Sequence, residues 1–235
     1  MPAGAAAEFA DLCAKAKITK VLFVRHAASA PLHAGAAKRA SAPHDWKQDD
    51  QMRVLTPKGL DQCAAAAPWF AKFQVRAMLS SPARRASETA VRMAALIETS
   101  EAKHDALYLR MVPGAHPAGM SATCEDLFDS LGYGPLRGFF AAQDGNGEQA
   151  FMSYADDVCS ELAGALVACG DDGSTDTIAV FGHAVFLNAI AYKCAQAFHA
   201  SNEAKEILLD MDLEETQGIL ISVEGEACVV SKLTA

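Results

Sequence analysis

Two histidines each follow directly on a short apolar segment, and these are the residues of the sequence best placed to do chemistry. His26 comes after the segment Ile18–Arg25, and His183 comes after Thr177–Gly182. A short apolar run that turns polar only at its end is typical of a strand buried on both faces. Ligands of open α/β sheets bind beyond the carboxyl ends of the strands. If the two strands are neighbours, both imidazoles lie at one edge of the sheet, close enough to act on one small group.

Positive charge is expected at the same edge. Arg25 immediately precedes the first histidine, and a third apolar run, Ala77–Ser81, is followed by Arg84 and Arg85. The planar guanidinium group pairs with two oxygens at once, which suits it to phosphate. A neutral imidazole is a capable nucleophile near pH 7. Two histidines and two arginines at one edge therefore indicate chemistry on a phosphoryl group.

Composition limits the class of protein. The chain has 235 residues, 51% apolar and 21% charged, within the range of a single α/β domain. Its net charge of −9 argues against a nucleic-acid partner. It has no apolar run approaching the roughly 20 residues that span a bilayer, and no signal-peptide pattern at its start. The seven cysteines are odd in number and lack a Cys-x-x-Cys pair, which favours a reducing, cytoplasmic location over a disulfide framework or a zinc site.

The apolar segments alternate between strand-like and helix-like patterns, which predicts a three-layer α/β/α sandwich with a mostly parallel central sheet. A further strand is expected at Asp105–Leu109, and a C-terminal hairpin at Gly218–Leu233 turns at Glu224-Gly225. The stretch Arg110–Gly147 is interpreted as irregular apart from one helical turn at Ala122–Leu131. The predicted helices are Ala5–Ala16, Pro57–Phe70 with Thr56 as its cap, one that starts near Pro82 and continues through Ala86–Glu98, Phe151–Cys169 and Val185–Phe198.

We expect one domain over residues 1–235. Two stretches within it, 27–55 and 110–150, contain no motif that names a substrate. Long connections in compact domains are often functional, so these two are predicted to be loops that determine substrate specificity.

Four segments, in this order, resemble the motifs of the histidine phosphatase superfamily, also called phosphoglycerate-mutase-like. The resemblance extends from residue 18 to about residue 190, and the layout is closest to the small phosphohistidine-phosphatase-like branch. The segments are Arg25-His26 with Ser29, Arg53-Val-Leu-Thr56-Pro-Lys-Gly59, Ser80-Ser-Pro-Ala-Arg84-Arg85-Ala-Ser-Glu-Thr-Ala90, and Val180-Phe-Gly-His183-Ala184.

The resemblance implies a function and a site. A phosphoryl group would pass to the nitrogen of His26 and then to water or another acceptor. Arg25, Arg85 and His183 would bind the phosphoryl oxygens, together with the Ser29 hydroxyl. Neither a metal nor another cofactor is implied. The substrate would be a phosphorylated small molecule or a phosphoprotein, carrying a phosphomonoester or a phosphohistidine.

The chain departs from the family pattern directly after the first histidine. Ala27 stands where glycine is usual, and costs about 1 kcal/mol if that position needs a positive φ. Mutases of the family carry Glu and Asn nearby, where this chain has Ala28 and Leu32. These two replacements favour a phosphatase over a mutase.

A further residue of the site would protonate the leaving oxygen. Many members place a carboxylate after the third strand; here the nearest candidates are Glu125 and Asp126, at the start of a predicted helix. We assign the role to Glu125, although acidic residues there also complement a helix dipole. Two alternatives stay open. The donor could come from the stretch 27–55, as Asp45, Asp49 or Asp50, or the substrate could be one that needs little protonation, such as phosphohistidine.

Two other functions remain compatible with the sequence. One is a phosphoglycerate mutase-type phosphotransferase, which would need a bisphosphate to prime His26. The other is a catalytically silent phosphate-binding module, which Ala27 and the displaced acid suggest. Hydrolysis of an aryl phosphate would separate the silent module from a phosphatase, and a coupled assay for conversion of 3- to 2-phosphoglycerate would separate the mutase.

Overall fold

A computed structural model describes residues 4–31, 46–98, 108–116, 122–169, 175–225 and 227–234. Its centre is a six-stranded sheet in the order β3-β2-β4-β1-β5-β6. The first four strands along the chain run parallel, whereas β5 is antiparallel to β1 and forms the predicted hairpin with β6. The strands are β1 (Lys20–Arg25), β2 (Ala77–Ser80), β3 (Tyr108–Met111), β4 (Thr177–Gly182), β5 (Gly218–Glu224) and β6 (Ala227–Leu233).

Helices connect the parallel strands, as expected for crossover connections. Within the described ranges, none of them is both long and apolar enough to cross a bilayer. The helices are α1 (Ala5–Lys15), α2 (Trp46–Gln51), α3 (Pro57–Phe70), α4 (Arg84–Glu98), α5 (Ala122–Leu131), α6 (Leu136–Ala141), α7 (Asn146–Cys169), α8 (Ala184–Ala197) and α9 (Asn202–Asp210).

Strand β1 shows how the three layers form. Successive side chains of a strand point to opposite faces. Val21 and Phe23 enter a core shared with α1, α7 and α8, while Leu22 and Val24 enter a second core shared with α3 and α4. Because both faces are covered, the strand is apolar throughout rather than alternating. The predicted α/β/α sandwich with a mostly parallel sheet is confirmed.

The interpretation of Arg110–Gly147 as largely irregular is wrong. The predicted turn is a full helix, α5, and it is followed by α6 and by α7, which begins at Asn146 rather than at Phe151. Helix α6 has only six residues and includes Gly138, too little for a helical period to be recognised. Its helical state is supported by tertiary packing, since Leu136 and Phe139 are fully buried in the larger core.

Strand register positions the site. In the pairing of β1 with β4, Arg25 lies beside Gly182, so that the residues following each strand are neighbours. In the pairing of β2 with β4, Ser80 lies beside Phe181. The carboxyl ends of three parallel strands therefore meet at one edge of the sheet, where His26 follows β1.

Candidate active site

His26 and His183 lie side by side at this edge. The ring centroids are 5.2 Å apart with an interplanar angle of 64°. The backbone N–H of His26 donates to the carbonyl oxygen of Gly182 at 3.0 Å, which continues the β1–β4 ladder by one step. Both side chains are buried. The predicted pairing of two imidazoles from neighbouring strands is thus present, close enough for one phosphoryl group to contact both.

The hydrogen bonds of His26 identify its tautomer. Nδ1 lies 2.8 Å from the carbonyl oxygen of Ala27. A carbonyl oxygen only accepts, so Nδ1 carries the proton and Nε2 carries the lone pair. Nε2 in turn accepts from Nε of Arg85 at 3.2 Å. The unprotonated nitrogen therefore points at the guanidinium group, where an anion would bind.

Arg85 orients the second imidazole as well. Its Nη2 lies 3.2 Å from Nδ1 of His183, and because a guanidinium only donates, Nδ1 is the acceptor. Nε2 of His183 then carries the proton and donates to Oγ of Ser81 at 3.0 Å. Ser81 directly follows β2. One arginine and three strand ends together hold the imidazoles in place.

Burial and positive charge keep both histidines neutral. Desolvation, and after it the charge of Arg85, lower the pKa of His26 from 6.5 to about 3. The same two causes lower the pKa of His183 well below its usual value. The charge of Arg25 contributes to both shifts, which places it within electrostatic reach of the pair. At neutral pH the lone pair on His26 Nε2 is therefore available for bonding to phosphorus.

Arg25 itself is anchored at the side of the site. Its Nη1 donates to the carbonyl oxygen of Leu213, and its Cζ lies 5.5 Å from the ring centroid of Tyr133. The side chain is partly buried. It thus contributes charge to the two imidazoles, while the direct hydrogen bonds to them come from Arg85.

The two consecutive arginines at the start of α4 point in different directions. Arg85 is buried and reaches both histidines. Arg84 forms an ion pair with Glu88 one turn along the helix, at 2.7 Å and partly exposed. The structure thus brings the arginine selected from the sequence, rather than its neighbour, into contact with the histidines.

The guanidinium group of Arg85 is already hydrogen-bonded to a carboxylate, that of Asp50. Oδ2 of Asp50 accepts from Nη2 of Arg85 at 2.9 Å, and the backbone oxygen of Asp50 accepts from Nη1 at 2.5 Å. Oδ1 accepts from Nη1 of Arg53 at 3.0 Å. Burial by itself would raise the pKa of Asp50, but hydrogen bonds and charge from His116, Arg85 and Arg53 outweigh it and hold the pKa below its usual value.

His116 completes this cluster, although the sequence suggested only a loop residue that could line the pocket. It is fully buried, with its ring centroid 5.6 Å from that of His183. Its Nε2 lies 3.5 Å from Oδ2 of Asp50. It follows a short turn after β3, at the same edge of the sheet, and that shared position was the signal available in the sequence.

Ser29 and Arg53 connect the end of β1 to Asp50. Nη2 of Arg53 donates to Oγ of Ser29 at 3.0 Å, and Nε donates to the carbonyl oxygen of Ala30 at 2.6 Å. Arg53 therefore does more than organise the entry to α3, which is capped as predicted by Thr56, whose Oγ1 accepts from the N–H of Gly59 at 3.2 Å.

Ala27 fits the backbone without strain. It is not among the described non-glycine residues with a positive φ. Its N–H donates to Oγ1 of Thr89 at 3.0 Å, and that hydroxyl donates to the carbonyl oxygen of Arg85 at 2.7 Å. The replacement of glycine by alanine therefore carries no left-handed penalty here.

The carboxylates predicted as proton donors lie in different places. Glu125 is half-buried in the first turns of α5, and Asp126 beside it is exposed. Asp50 is bonded directly to Arg85. Asp45 lies outside the described residues. The role of Glu125 stays a prediction.

The comparisons with known proteins agree with this geometry. Residues 21–108 match the model of the histidine phosphatase superfamily (branch 1), a range that includes His26, Asp50 and Arg85. No curated protein sequence matches the chain.

Solved structures share the fold over nearly the whole chain. Mycobacterial hydrolase 2 is 16% identical, with a TM-score of 0.52 and coverage of 91% of this chain and 88% of its own. A mycobacterial glucosyl-3-phosphoglycerate phosphatase is 14% identical, with a TM-score of 0.51 and coverage of 91% and 96%. The protein histidine phosphatase SixA, complexed with tungstate, is 15% identical, with a TM-score of 0.48 and coverage of 92% and 96%. Over residues 21–108 the chain is similar to the histidine phosphatase superfamily, and the whole chain shares its fold with the two mycobacterial structures.

Proposed function

We propose that this protein is a metal-independent phosphatase that hydrolyses a phosphomonoester or a phosphohistidine through a phosphohistidine intermediate on His26. The observation that carries the proposal is the contact between His26 and Arg85. The lone pair on His26 Nε2 faces a guanidinium that also bonds His183. The proposed nucleophile and an anion-binding group thus face the same position in the site.

In the first step, the phosphoryl group binds Arg85, and Nε2 of His26 attacks phosphorus opposite the leaving oxygen. Nδ1–H keeps its bond to the carbonyl oxygen of Ala27, which stabilises the charge that develops on the ring. The positive charges of Arg85 and Arg25 stabilise the equatorial oxygens in an open transition state.

In the second step, water attacks the phosphorus bound to His26 and releases inorganic phosphate. The imidazole leaves as a neutral base, which burial and the charge of Arg85 favour by lowering its pKa to about 3. The same environment that keeps His26 unprotonated for attack therefore also favours its release from phosphorus.

A phosphatase is favoured over a mutase by the residues that follow His26. Where mutases carry a glutamate, this chain has Ala28, whose N–H donates to Oε1 of Gln62 at 2.8 Å. Its methyl side chain offers no group that could hold a phosphoglycerate. Transfer to water needs no second substrate site.

The test uses p-nitrophenyl phosphate, whose good leaving group needs little acid assistance. We expect wild type to hydrolyse it and His26→Ala to lose activity by many orders of magnitude, since nucleophile removal is usually that costly. Rapid quenching of wild type during turnover should trap an acid-labile phosphoenzyme that His26→Ala cannot form. The exposed His199 supplies the matched control, and His199→Asn should be as active as wild type.

Three outcomes would contradict the proposal. Near-wild-type turnover by His26→Ala would show that the chemistry bypasses this residue. A wild type that binds phosphate but hydrolyses nothing would support the silent module instead. Conversion of 3- to 2-phosphoglycerate, dependent on a bisphosphate primer, would identify a mutase.

A further inference from the structure

The phosphate-binding face of Arg85 is occupied by a group of this chain. Both terminal nitrogens of the guanidinium donate to Asp50, one to the carboxylate and the other to the backbone oxygen. Two oxygens on two guanidinium nitrogens is the arrangement that a phosphoryl group would adopt. Asp50 therefore stands in the place of substrate oxygens, and substrate must compete with it.

Displacement from Arg85 would leave Asp50 next to the bound phosphoryl group. Its other carboxylate oxygen is held by Arg53, which is anchored to Ser29 and Ala30 beyond the end of β1. His116 lies 3.5 Å from Oδ2 on the side of His183. These contacts restrict how far the carboxylate of Asp50 can move once a phosphoryl group has bound to Arg85.

We propose that Asp50, displaced from Arg85 by the substrate, is the group that donates a proton to the leaving oxygen. The inference deepens the proposed function and rests on it. It assigns the acid role to the segment before α3, in preference to Glu125 on α5.

The charge balance of the site explains when Asp50 carries a proton. While it is bonded to Arg85 and Arg53, the carboxylate is ionised. Once the phosphoryl oxygens replace it on Arg85, the carboxylate loses one cation and faces a new negative charge. Both changes raise the pKa of the carboxyl group, so it takes a proton from solvent. Asp50 is thus protonated only when substrate is bound.

The proton then follows the reacting bonds. As the bond between His26 Nε2 and phosphorus forms and the bond to the leaving oxygen breaks, Asp50 gives its proton to that oxygen and becomes a carboxylate. In hydrolysis, the carboxylate accepts a proton from the attacking water while the new phosphorus–oxygen bond forms and the bond to His26 breaks. The proton taken from water returns Asp50 to its protonated state while phosphate is still bound.

The experiment compares Asp50→Asn with Glu125→Gln on two substrates of unequal leaving groups. An alkyl phosphate such as glycerol phosphate needs its leaving oxygen protonated, whereas p-nitrophenyl phosphate does not. We expect Asp50→Asn to lower kcat/KM for the alkyl phosphate by about 10²–10⁴-fold more than for the aryl phosphate. Glu125→Gln should leave the ratio of the two rates as in wild type. Asp49→Asn, which removes an equal charge from the same helix, is the matched control and should also leave it unchanged.

A second variant guards against a general effect on folding. Asp50→Ala should regain alkyl phosphate hydrolysis when formate, a small carboxylic acid, is added, and wild type should not respond. A plot of log kcat/KM against leaving-group basicity should be steeper for Asp50→Asn than for wild type, which a purely structural role would not produce.

Two results would overturn the assignment. If Asp50→Asn speeds both substrates equally and binds inorganic phosphate more tightly, Asp50 only obstructs Arg85. If the rate ratio changes in Glu125→Gln instead, the acid is on α5. Failure of the proposed function looks different, because wild type itself would then leave the aryl phosphate intact.

Discussion

Nε of Arg85 lies 3.2 Å from Nε2 of His26, the nitrogen proposed to attack phosphorus. Arg85 is buried at the start of α4, and its charge is the largest contribution after desolvation to the low pKa of His26. One side chain therefore keeps the proposed nucleophile unprotonated and, in the proposed mechanism, also binds the group that it attacks. Three predictions concern this arrangement and the fold that supports it.

Replacement of the planar guanidinium group of Arg85 by the ammonium group of lysine should lower activity, although the positive charge remains. Lysine cannot bond two oxygens and both imidazoles at once, so we expect Arg85→Lys to lower kcat for p-nitrophenyl phosphate by about 10²–10³-fold, the usual effect of losing a preorganised donor. Steady-state kinetics measures it. Arg84→Lys, at the neighbouring residue that pairs with Glu88, should keep wild-type rates. Equal losses in both variants would contradict the assignment of Arg85.

Stability should fall as the pH drops from 6.5 towards 4.5. In the unfolded chain His26 takes up a proton near its ordinary pKa of 6.5, whereas in the folded protein it does so only near 3. The unfolded state then binds more protons, so the free energy of unfolding decreases by about 1.4 kcal/mol per pH unit for each such histidine. His183 contributes with the same sign. Urea denaturation at several pH values measures the slope.

The variant His26→Gln isolates the contribution of His26 to this pH dependence, and it should reduce the slope by the share of one residue. The lowered pKa of Asp50 acts below its ordinary value of 3.8, outside this window. A slope that is the same in His26→Gln and wild type would show that His26 is not held neutral by burial.

Helix α3 should tolerate no side chain at Gly59. A Cβ there would lie 2.1 Å from the carbonyl oxygen of Ala28, an atom of the backbone that cannot rotate away. We expect Gly59→Ala to lower the free energy of unfolding by about 1–3 kcal/mol. Gly164→Ala, in α7 with nothing within 4 Å of the new Cβ, should be neutral or raise it by up to about 1 kcal/mol. Urea unfolding that gives the two variants equal stability would contradict this close approach.

The parallel strands and the two histidines at their ends could be predicted from the residues alone. Strands β1 and β4 are buried on both faces, so their apolar runs stop where the sheet stops, and His26 and His183 follow at once. The choice of Arg85 over Arg84 came from the resemblance of the segment after β2 to the family motif. For the two histidines the signal is local, because a single strand and the residue after it contain it.

Helix α2 and the residue it contributes required the folded chain. It has six residues, WKQDDQ, with no apolar period to mark it as a helix. Nothing in that segment indicates that Asp50, rather than Asp49 beside it, faces Arg85. The contact depends on where α2 lies relative to α4, and Arg53, which donates to Oγ of Ser29, holds Asp50 there.

The fold class and the two imidazoles thus follow from patterns of a few consecutive residues, since burial on both faces of a strand leaves a continuous apolar run. The contacts of Asp50 and His116 with the rest of the site do not follow from such patterns. Asp50 and His116 come from separate connections, and their meeting with Arg85 depends on long-range packing that no local pattern records. Hydrogen bonds between distant segments form only after the sheet has brought those segments together, and only the folded structure identifies the carboxylate that lies on Arg85.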